Sequence, residues 1–232
     1  MKVAIMQPYF LPYIGYFQLM HAVDVFVCFD DVQYINRGWV NRNRILVRGR
    51  PNWVTMPVVK ANRKDSINKR CYVAGTDAKD AIKRQLEAAY CTTPHKRNVL
   101  PLLVSLINYD ERNVAKYNMH LLGCLAEILG IKCDVRLASD FNLPKTRKGQ
   151  DRVIDICRLL GANTYINPRG GMELYNINAF ERAGIRLFFL GTTVAPLCVN
   201  GDGLHLSIVD TLFNHGIEAT RVLLDDFQLI QG

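Results

Sequence analysis

Two adjacent carboxylates follow an apolar run early in the chain. Asp30 and Asp31 come directly after "DVFVCF" (24–29) and open the motif "DDVQY". Burying a carboxylate at the end of a strand costs free energy, so such a group is normally solvated, paired with a cation or employed in catalysis. Like charges held together raise at least one pKa, which suits a general acid or base. We expect one of the two to be catalytic and the other to cap a turn or pair with an arginine. Turn capping alone is the alternative.

The segment "QPYFLPYIGYF" (7–17) is the second candidate, and it follows the apolar run "KVAIM". Ligands of open parallel sheets bind beyond the carboxyl ends of the strands. The amide of Gln7 can aim a donor and an acceptor at a bound group, and could hold a developing oxyanion. Tyr13 and Tyr16 belong to an aromatic, proline-stiffened wall that suits substrate binding. An aromatic corner of the core is the alternative.

A basic segment, "NRGWVNRNRI" (36–45), comes shortly after the aspartates. If it is a loop, Arg37 and Arg42 could clamp a diphosphate, and Trp39 could stack on a base or a sugar. If it is extended, Asn41 and Asn43 share one face, and the arginines between and after them share the other. Asn41 is a second candidate for the oxyanion donor. A surface network of ion pairs is the alternative.

The net charge of +8 is concentrated around this segment. Residues 37–70 contain ten basic side chains and one acid, whereas the rest of the chain is nearly neutral. A local excess of positive charge indicates an anionic partner better than a uniform one does. A solvated face is the alternative. The loop "PKTRKGQ" (144–150), with Lys145, forms a smaller basic cluster that could close over an anion.

Other signatures of chemistry are weak or absent. "NPRGG" (167–171) lacks the spacing of a phosphate-binding loop, and the five histidines lack metal-ligand spacing. We therefore assign no metal, and the residues do not identify a cofactor. The seven cysteines form no C-x-x-C pair and no disulfide framework, which fits the reducing cytoplasm. No export signal and no membrane span is expected, because prolines interrupt the apolar N-terminus.

The order of the elements predicts an α/β fold with a mostly parallel, Rossmann-like sheet. Residues 1–29 have the pattern of a βαβ unit, followed by strands at 44–47 and 52–59, with Gly49 and Pro51 as turn residues. Helices are expected at 76–90, 98–109 and 110–130, the last with acids in its first turn. Alternation of helix and strand then resumes. We expect one domain over 1–232, with 76–130 as a helical insertion or subdomain.

Four blocks of the sequence resemble the WbqC-like family, which is linked to bacterial surface-polysaccharide (O-antigen) biosynthesis. They are "MQPYFLPYIGYFQL", "DDVQYINRGWVNRNRIL", "RVIDICRLLGANTYINPRGG" and "LSIVDTLFNHG", and they reach from the N-terminus to residue 216. The resemblance implies a role in transferring glycine to the amine of a nucleotide-linked amino sugar. The polar motif residues of the family fall on Gln7, Tyr13, Tyr16, Asp30, Asp31, Gln33, Arg37, Asn41, Arg42, Asn43, Ser207 and Asp210.

The first block also resembles the start of the nucleotidylyltransferase superfamily. Its H-x-G-H motif would fall on residues 13–16, where both histidines are replaced by tyrosines. Transfer of a nucleotidyl group would then lack its phosphate-stabilising imidazoles.

Three functions follow from these patterns. The first is a cytoplasmic transferase that moves an acyl or aminoacyl group from an activated donor to a nucleotide sugar. In it, an aspartate takes the amine proton, Gln7 or Asn41 holds the oxyanion, and Arg37 and Arg42 grip the diphosphate. The second is a nucleotidyltransferase-like enzyme. The third is a protein that binds RNA through the basic residues 37–70.

Overall fold

The computed structural model describes residues 1–144, 146–193, 199–200 and 204–232. The strands of this part are β1 Lys2–Met6, β2 Val25–Cys28, β3 Arg42–Val47, β4 Arg50–Thr55, β5 Asp134–Leu137, β6 Thr164–Pro168, β7 Arg186–Thr192, β8 Val199–Asn200, β9 Leu204–His205 and β10 Phe227–Gln231. The helices are α1 Ile14–His21, α2 Asp77–Ala89, α3 Lys96–Ile107, α4 Val114–Ile128, α5 Gly149–Leu159, α6 Ile177–Arg182 and α7 Ile208–Val222.

A six-stranded sheet in the order β5-β2-β1-β6-β7-β10 forms the centre of the molecule. Every neighbouring pair is parallel except β7 and β10, which are antiparallel. The chain adds strands outward from β1 to β5, then returns to the other side of β1 with β6. This is the strand order of Rossmann-like folds, in which ligands bind near the point where the direction reverses. The predicted α/β class with a mostly parallel sheet is confirmed.

The central strands are apolar on both faces because helices and loops cover the sheet on both sides. Every residue of β2 is buried, as are Val3, Ala4 and Ile5 of β1. This accounts for the continuous apolar runs that predicted them. The two strands pair in parallel with Val3 opposite Val25, as expected for a βαβ unit.

The strands β3 and β4 form a separate antiparallel hairpin. Arg48 and Gly49 connect them, and both have a positive φ, 51° and 74°, which is the conformation of a two-residue type I′ turn. The expectation that Pro51 lies in the turn is wrong. Pro51 is in β4, opposite Leu46, on a hairpin strand with a free edge where a missing N–H is tolerated. The second strand also ends at Thr55 rather than at residue 59.

The three middle helices are present, but the third begins later than expected. Asn113 caps α4 by accepting a hydrogen bond from the Lys116 amide at 3.1 Å, so the helix begins at Val114. Asp110 and Glu111 precede it, and the prediction that they lie in its first turn is wrong. Leu86, Leu103 and Leu121 of the three helices, and Ile14 of α1, belong to one apolar cluster.

The remaining elements complete the second half of the sheet. A 3-10 helix, Arg169–Leu174, begins within the "NPRGG" segment after β6. The short α6 and the edge strand β10 were not predicted. None of the described helices combines the length and the apolar character that crossing a bilayer requires.

Candidate functional site

The loops after β1 and β2 are joined by backbone-directed hydrogen bonds. The Phe10 amide donates to the Trp39 carbonyl at 3.0 Å. The side-chain amide of Asn43 donates to the carbonyls of Phe10 and Leu11, at 3.1 and 2.9 Å. These loops follow the carboxyl ends of neighbouring parallel strands, and the segment 36–44 therefore lies directly against the loop 7–13.

A basic pocket of about 630 Å³ lies on one side of this segment. Three arginines contribute to it, and no carboxylate does. Arg42 donates from Nε to the Gly38 carbonyl at 3.3 Å, and its guanidinium stacks 3.9 Å from the centre of the Trp53 ring. Gln33 donates to the Arg63 carbonyl at 3.0 Å and so fixes the loop that carries this arginine. The lining residues are Tyr34, Asn36, Arg37, Asn41, Arg42, Thr55 and Arg63.

An aromatic pocket of about 130 Å³ adjoins the same segment. The ring of Tyr13 packs against His205 with a centroid distance of 4.5 Å and an angle of 31° between the ring planes. Arg44 lies 4.9 Å from the centre of the Trp39 ring. A Cβ on Gly15 would come within 2.3 Å of the Tyr13 ring, so this glycine leaves room for the tyrosine. The lining residues are Tyr9, Pro12, Tyr13, Trp39, Asn43, Arg44 and His205.

The aromatic pocket keeps its titratable rings uncharged. Burial raises the pKa of Tyr9, and it raises the pKa of Tyr13 to about 12. Burial and the positive charge of Arg44 lower the pKa of His205 from its ordinary 6.5, so the imidazole is neutral at pH 7. His205 was missed from the sequence, where the histidines were considered only as metal ligands. Its position two residues before the motif residue Ser207 was the available signal.

Asp30 is buried and both of its carboxylate oxygens accept hydrogen bonds. Oδ1 accepts from the Ser139 amide at 3.0 Å, and Oδ2 accepts from the Asn68 side chain at 3.0 Å. Asp30 thereby ties the loop after β2 to the 3-10 helix Ala138–Phe141 after β5. Its catalytic role stays a prediction, and this arrangement favours the capping alternative.

Asp31 pairs with the buried Arg152 of α5. Its Oδ1 has no hydrogen-bond partner within the described residues. Burial raises the pKa of Asp31, and the charge of Arg152 opposes this rise. The two carboxylates therefore have different partners, as expected, but neither aspartate lines either pocket.

Several of the other motif residues use their polar groups inside the protein. Asn41 accepts from the Tyr34 hydroxyl and donates to the Met56 carbonyl, both at 2.8 Å. The buried Tyr16 donates to the backbone carbonyl of Gln7 at 2.8 Å. These bonds occupy the oxygen of Asn41 and one of its two amide N–H groups. The side-chain amide of Gln7 makes no hydrogen bond within the described residues. The role of either residue as an oxyanion donor stays a prediction.

Ser207 and Asp210 attach the start of α7 to the loop after β1 and to β3. The Ser207 hydroxyl donates to the Leu11 carbonyl at 2.7 Å and accepts from the Val209 amide at 3.2 Å. Asp210 accepts from the Leu46 amide of β3 at 3.2 Å. Burial raises the pKa of Asp210 from 3.8 to about 6. Both residues therefore position the elements around the aromatic pocket. Lys145, the remaining predicted binding residue, lies outside the described residues.

The "NPRGG" segment is packed against itself rather than open to a ligand. Asn167 accepts from the Tyr165 hydroxyl at 3.0 Å, and a Cβ on Gly171 would come within 2.1 Å of its side-chain nitrogen. Gly171 thus provides space for Asn167. Across the described ranges, no three His, Cys, Asp or Glu side chains are grouped as metal ligands would be.

Comparison with known proteins identifies the family. Residues 7–222 match the WbqC-like protein family. The chain is also similar to the uncharacterized protein Rv1507c of Mycobacterium tuberculosis, with 30% identity over 226 residues that cover 96% of this chain and 97% of the relative. No solved structure is significantly similar. The matched range covers most of the chain and includes every residue that lines the two pockets, so the chain belongs to the WbqC-like protein family.

Proposed function

We propose that this protein is a transferase of bacterial surface-polysaccharide biosynthesis that places an acyl or aminoacyl group, such as glycyl, on the amine of a nucleotide-linked amino sugar. The observation that carries the proposal is the pair of pockets on the shared segment 36–44. One pocket is basic and the other is aromatic. A nucleotide sugar has the same two parts, a charged diphosphate and flat or apolar rings.

The basic pocket supports binding of the diphosphate. Arg37, Arg42 and Arg63 line it without any acidic neighbour among the lining residues. A guanidinium presents a planar fork of donors that matches phosphate oxygens in pairs. Arg42 is already held by Gly38 and Trp53, so less conformational entropy is lost when it binds.

The aromatic pocket supports binding of a ring next to the reaction centre. Tyr13 and Trp39 offer apolar faces on which a base or a sugar can stack. Gln7, which follows β1 directly, and Asn41 both remain candidates for the oxyanion donor through their side-chain N–H groups. Of the two, Asn41 lines the basic pocket, where it also links Tyr34 to Met56.

Isothermal titration with UDP- and dTDP-linked amino sugars tests the binding. We expect Arg37→Ala to weaken binding by about tenfold or more, which is about 1.4 kcal/mol. Arg97→Ala removes the same charge from an exposed position on α3 and serves as the control. Mass spectrometry with activated acyl donors then detects the amide product. Equal effects of the two variants, or no binding of any nucleotide sugar, would contradict the proposal.

RNA binding is a second candidate, supported by the arginine and tryptophan side chains of the hairpin. Trp53 is 41% exposed, and Arg42 and Arg44 lie 3.9 and 5.2 Å from its ring centre. Exposed aromatic rings beside cations are the usual platform for single-stranded nucleic acid. An aminoacyl-tRNA would also be a natural aminoacyl donor, so this candidate is compatible with the first.

The strand order supports nucleotidyl transfer as a third candidate, but the first loop does not. Of the two tyrosines at the histidine positions of that superfamily, Tyr13 lines a pocket. Tyr16 is 1% exposed and donates its hydroxyl to the Gln7 carbonyl. It is therefore unable to stabilise a phosphate without a rearrangement of α1.

A further inference from the structure

We infer that His205 is the group that takes the proton from the attacking amine. This inference rests on the proposed transfer reaction and assigns a catalytic residue to it. His205 lies in β9 and lines the aromatic pocket, where its ring packs against Tyr13. It replaces the two aspartates that the sequence indicated.

The composition of the two pockets supports His205 by elimination. Their lining contains tyrosines, arginines, neutral polar residues, a proline, a tryptophan and one histidine, but no carboxylate. Arginines stay charged and have no acceptor, and tyrosines with a raised pKa keep their protons. The imidazole is therefore the one lining side chain that can accept a proton near neutral pH.

The aspartates are less suited to this role. Asp30 has both oxygens occupied by Ser139 and Asn68. Asp31 is bound to Arg152, which holds its carboxylate away from both pockets. A proton acceptor must also reach the reacting amine, directly or through one water. Neither aspartate borders the space in which that amine would lie.

The surroundings of His205 keep the imidazole ready to accept the proton. The titratable groups that line its pocket are Tyr9, Tyr13 and Arg44. The tyrosines are neutral, so Arg44 is the charged group that acts on the ring. Burial and Arg44 both lower the pKa of His205. The side chain also remains exposed to solvent on one side, so the proton can leave to water.

The reaction step balances with an activated acyl ester or thioester as the donor. The amine nitrogen of the sugar attacks the acyl carbonyl carbon, and the N–C bond forms while the proton moves from nitrogen to the imidazole. The bond from the acyl carbon to the alkoxide or thiolate breaks, and its electron pair leaves with that group. The imidazolium then returns the proton to the leaving group, which restores the neutral ring.

The test is the pH profile of single-turnover acyl transfer by His205→Gln. Glutamine keeps the polar character and most of the size, so nucleotide-sugar binding by titration calorimetry should change less than about twofold. The rate should fall by about 10²- to 10⁴-fold, the usual contribution of a general base. The wild-type rate should decline as the pH falls through a pKa below 6.5, and the variant should lose this decline.

Two variants serve as comparisons in the same assay. His215→Gln changes a histidine of α7 outside both pockets and should leave the rate unchanged. Asp31→Asn should keep the decline at low pH. Imidazole added to His205→Ala should restore part of the rate.

The outcomes separate the inference from the proposed function. If His205→Gln binds the nucleotide sugar and transfers at the wild-type rate, or if Asp31→Asn alone abolishes the decline at low pH, the assignment to His205 is overturned while the proposed function stands. If the wild-type protein binds no nucleotide sugar, or binds without transfer from any activated donor, the proposed function fails and this inference fails with it.

Discussion

Polar side chains of the two loops divide into those that hold the protein together and those that face open space. Asn41 and Asp30 are buried, and their hydrogen bonds are made within the chain. Arg37 lines the basic pocket from an exposed position with a φ of 61°. The sequence could not separate the two groups, because partners such as Asn68 and Ser139 of Asp30 are 38 and 109 residues away in the chain.

Asp210 gives a prediction of how the free energy of unfolding depends on pH. Its pKa is higher in the folded protein than the ordinary 3.8, so folding binds its proton more tightly. The contribution of this group to stability is therefore lost as the pH rises from about 4 to about 6, and a shift of two units corresponds to about 3 kcal/mol. Between pH 4 and 7 the free energy of unfolding of Asp210→Asn should rise relative to wild type by up to this amount.

Urea unfolding at several pH values measures this difference. Asp226→Asn changes an exposed carboxyl near the end of the chain and should follow the wild-type pH dependence. A constant difference between Asp210→Asn and wild type over the whole range would contradict the prediction.

The bounds of a helix or strand depend on single capping and turn residues, so its existence was easier to predict than its ends. The apolar runs of β1 and β2 give continuous burial, so their existence was predictable. The start of α4 was misplaced because Asn113, three residues after the predicted start at Asp110, caps the helix. The edge strand β10 pairs only with β7, and the short segment "FQLIQ" carries no local signal strong enough to identify it.

Gly15 in α1 gives a prediction about stability and binding. Alanine there would place its Cβ 2.3 Å from the Tyr13 ring, so the ring must move away from His205. We expect Gly15→Ala to lower the free energy of unfolding by about 1–2 kcal/mol, because the steric cost exceeds the gain in helix propensity. Nucleotide-sugar binding should also weaken.

Gly123→Ala in α4 is the matched control, since no atom lies within 4 Å of its Cβ position. It should raise stability by about 0.5–1 kcal/mol without a change in binding. Chemical denaturation and calorimetry measure both effects. A Gly15→Ala protein as stable as Gly123→Ala would show that the Tyr13 ring is not confined by this glycine.

The order of the sheet strands is a property of the whole molecule that local patterns did not determine. Residues 29–133 lie between β2 and β5, and the pairing of β1 with β6 joins Lys2 to Thr164. A βαβ pattern predicts parallel neighbours, but it does not specify which side of β1 the later strands join. The pockets likewise combine the loops after β1 and β2 with the hairpin and β9, which only the folded chain brings together.

The concentrated positive charge gives a prediction for the intact protein. If residues 37–70 bind RNA, several phosphates release counterions, and the affinity should fall steeply and linearly on a log–log plot against salt. A nucleotide sugar has one diphosphate, so its salt dependence should be shallow. Filter binding of tRNA beside calorimetry of the nucleotide sugar, from 50 to 200 mM salt, compares the two. A shallow dependence for tRNA would exclude extended phosphate contacts.

The hydrogen bond from Ser207 to Leu11 has a consequence for synthesis of the chain. It connects positions separated by 196 residues, and His205 meets Tyr13 in the same region. Domains emerge from the ribosome N-terminal part first, and contacts of long sequence separation form late. The loop after β1 is therefore among the first parts made, yet the aromatic pocket is completed only when His205, just before α7, has reached Tyr13. A chain that ends before His205 therefore lacks a complete aromatic pocket.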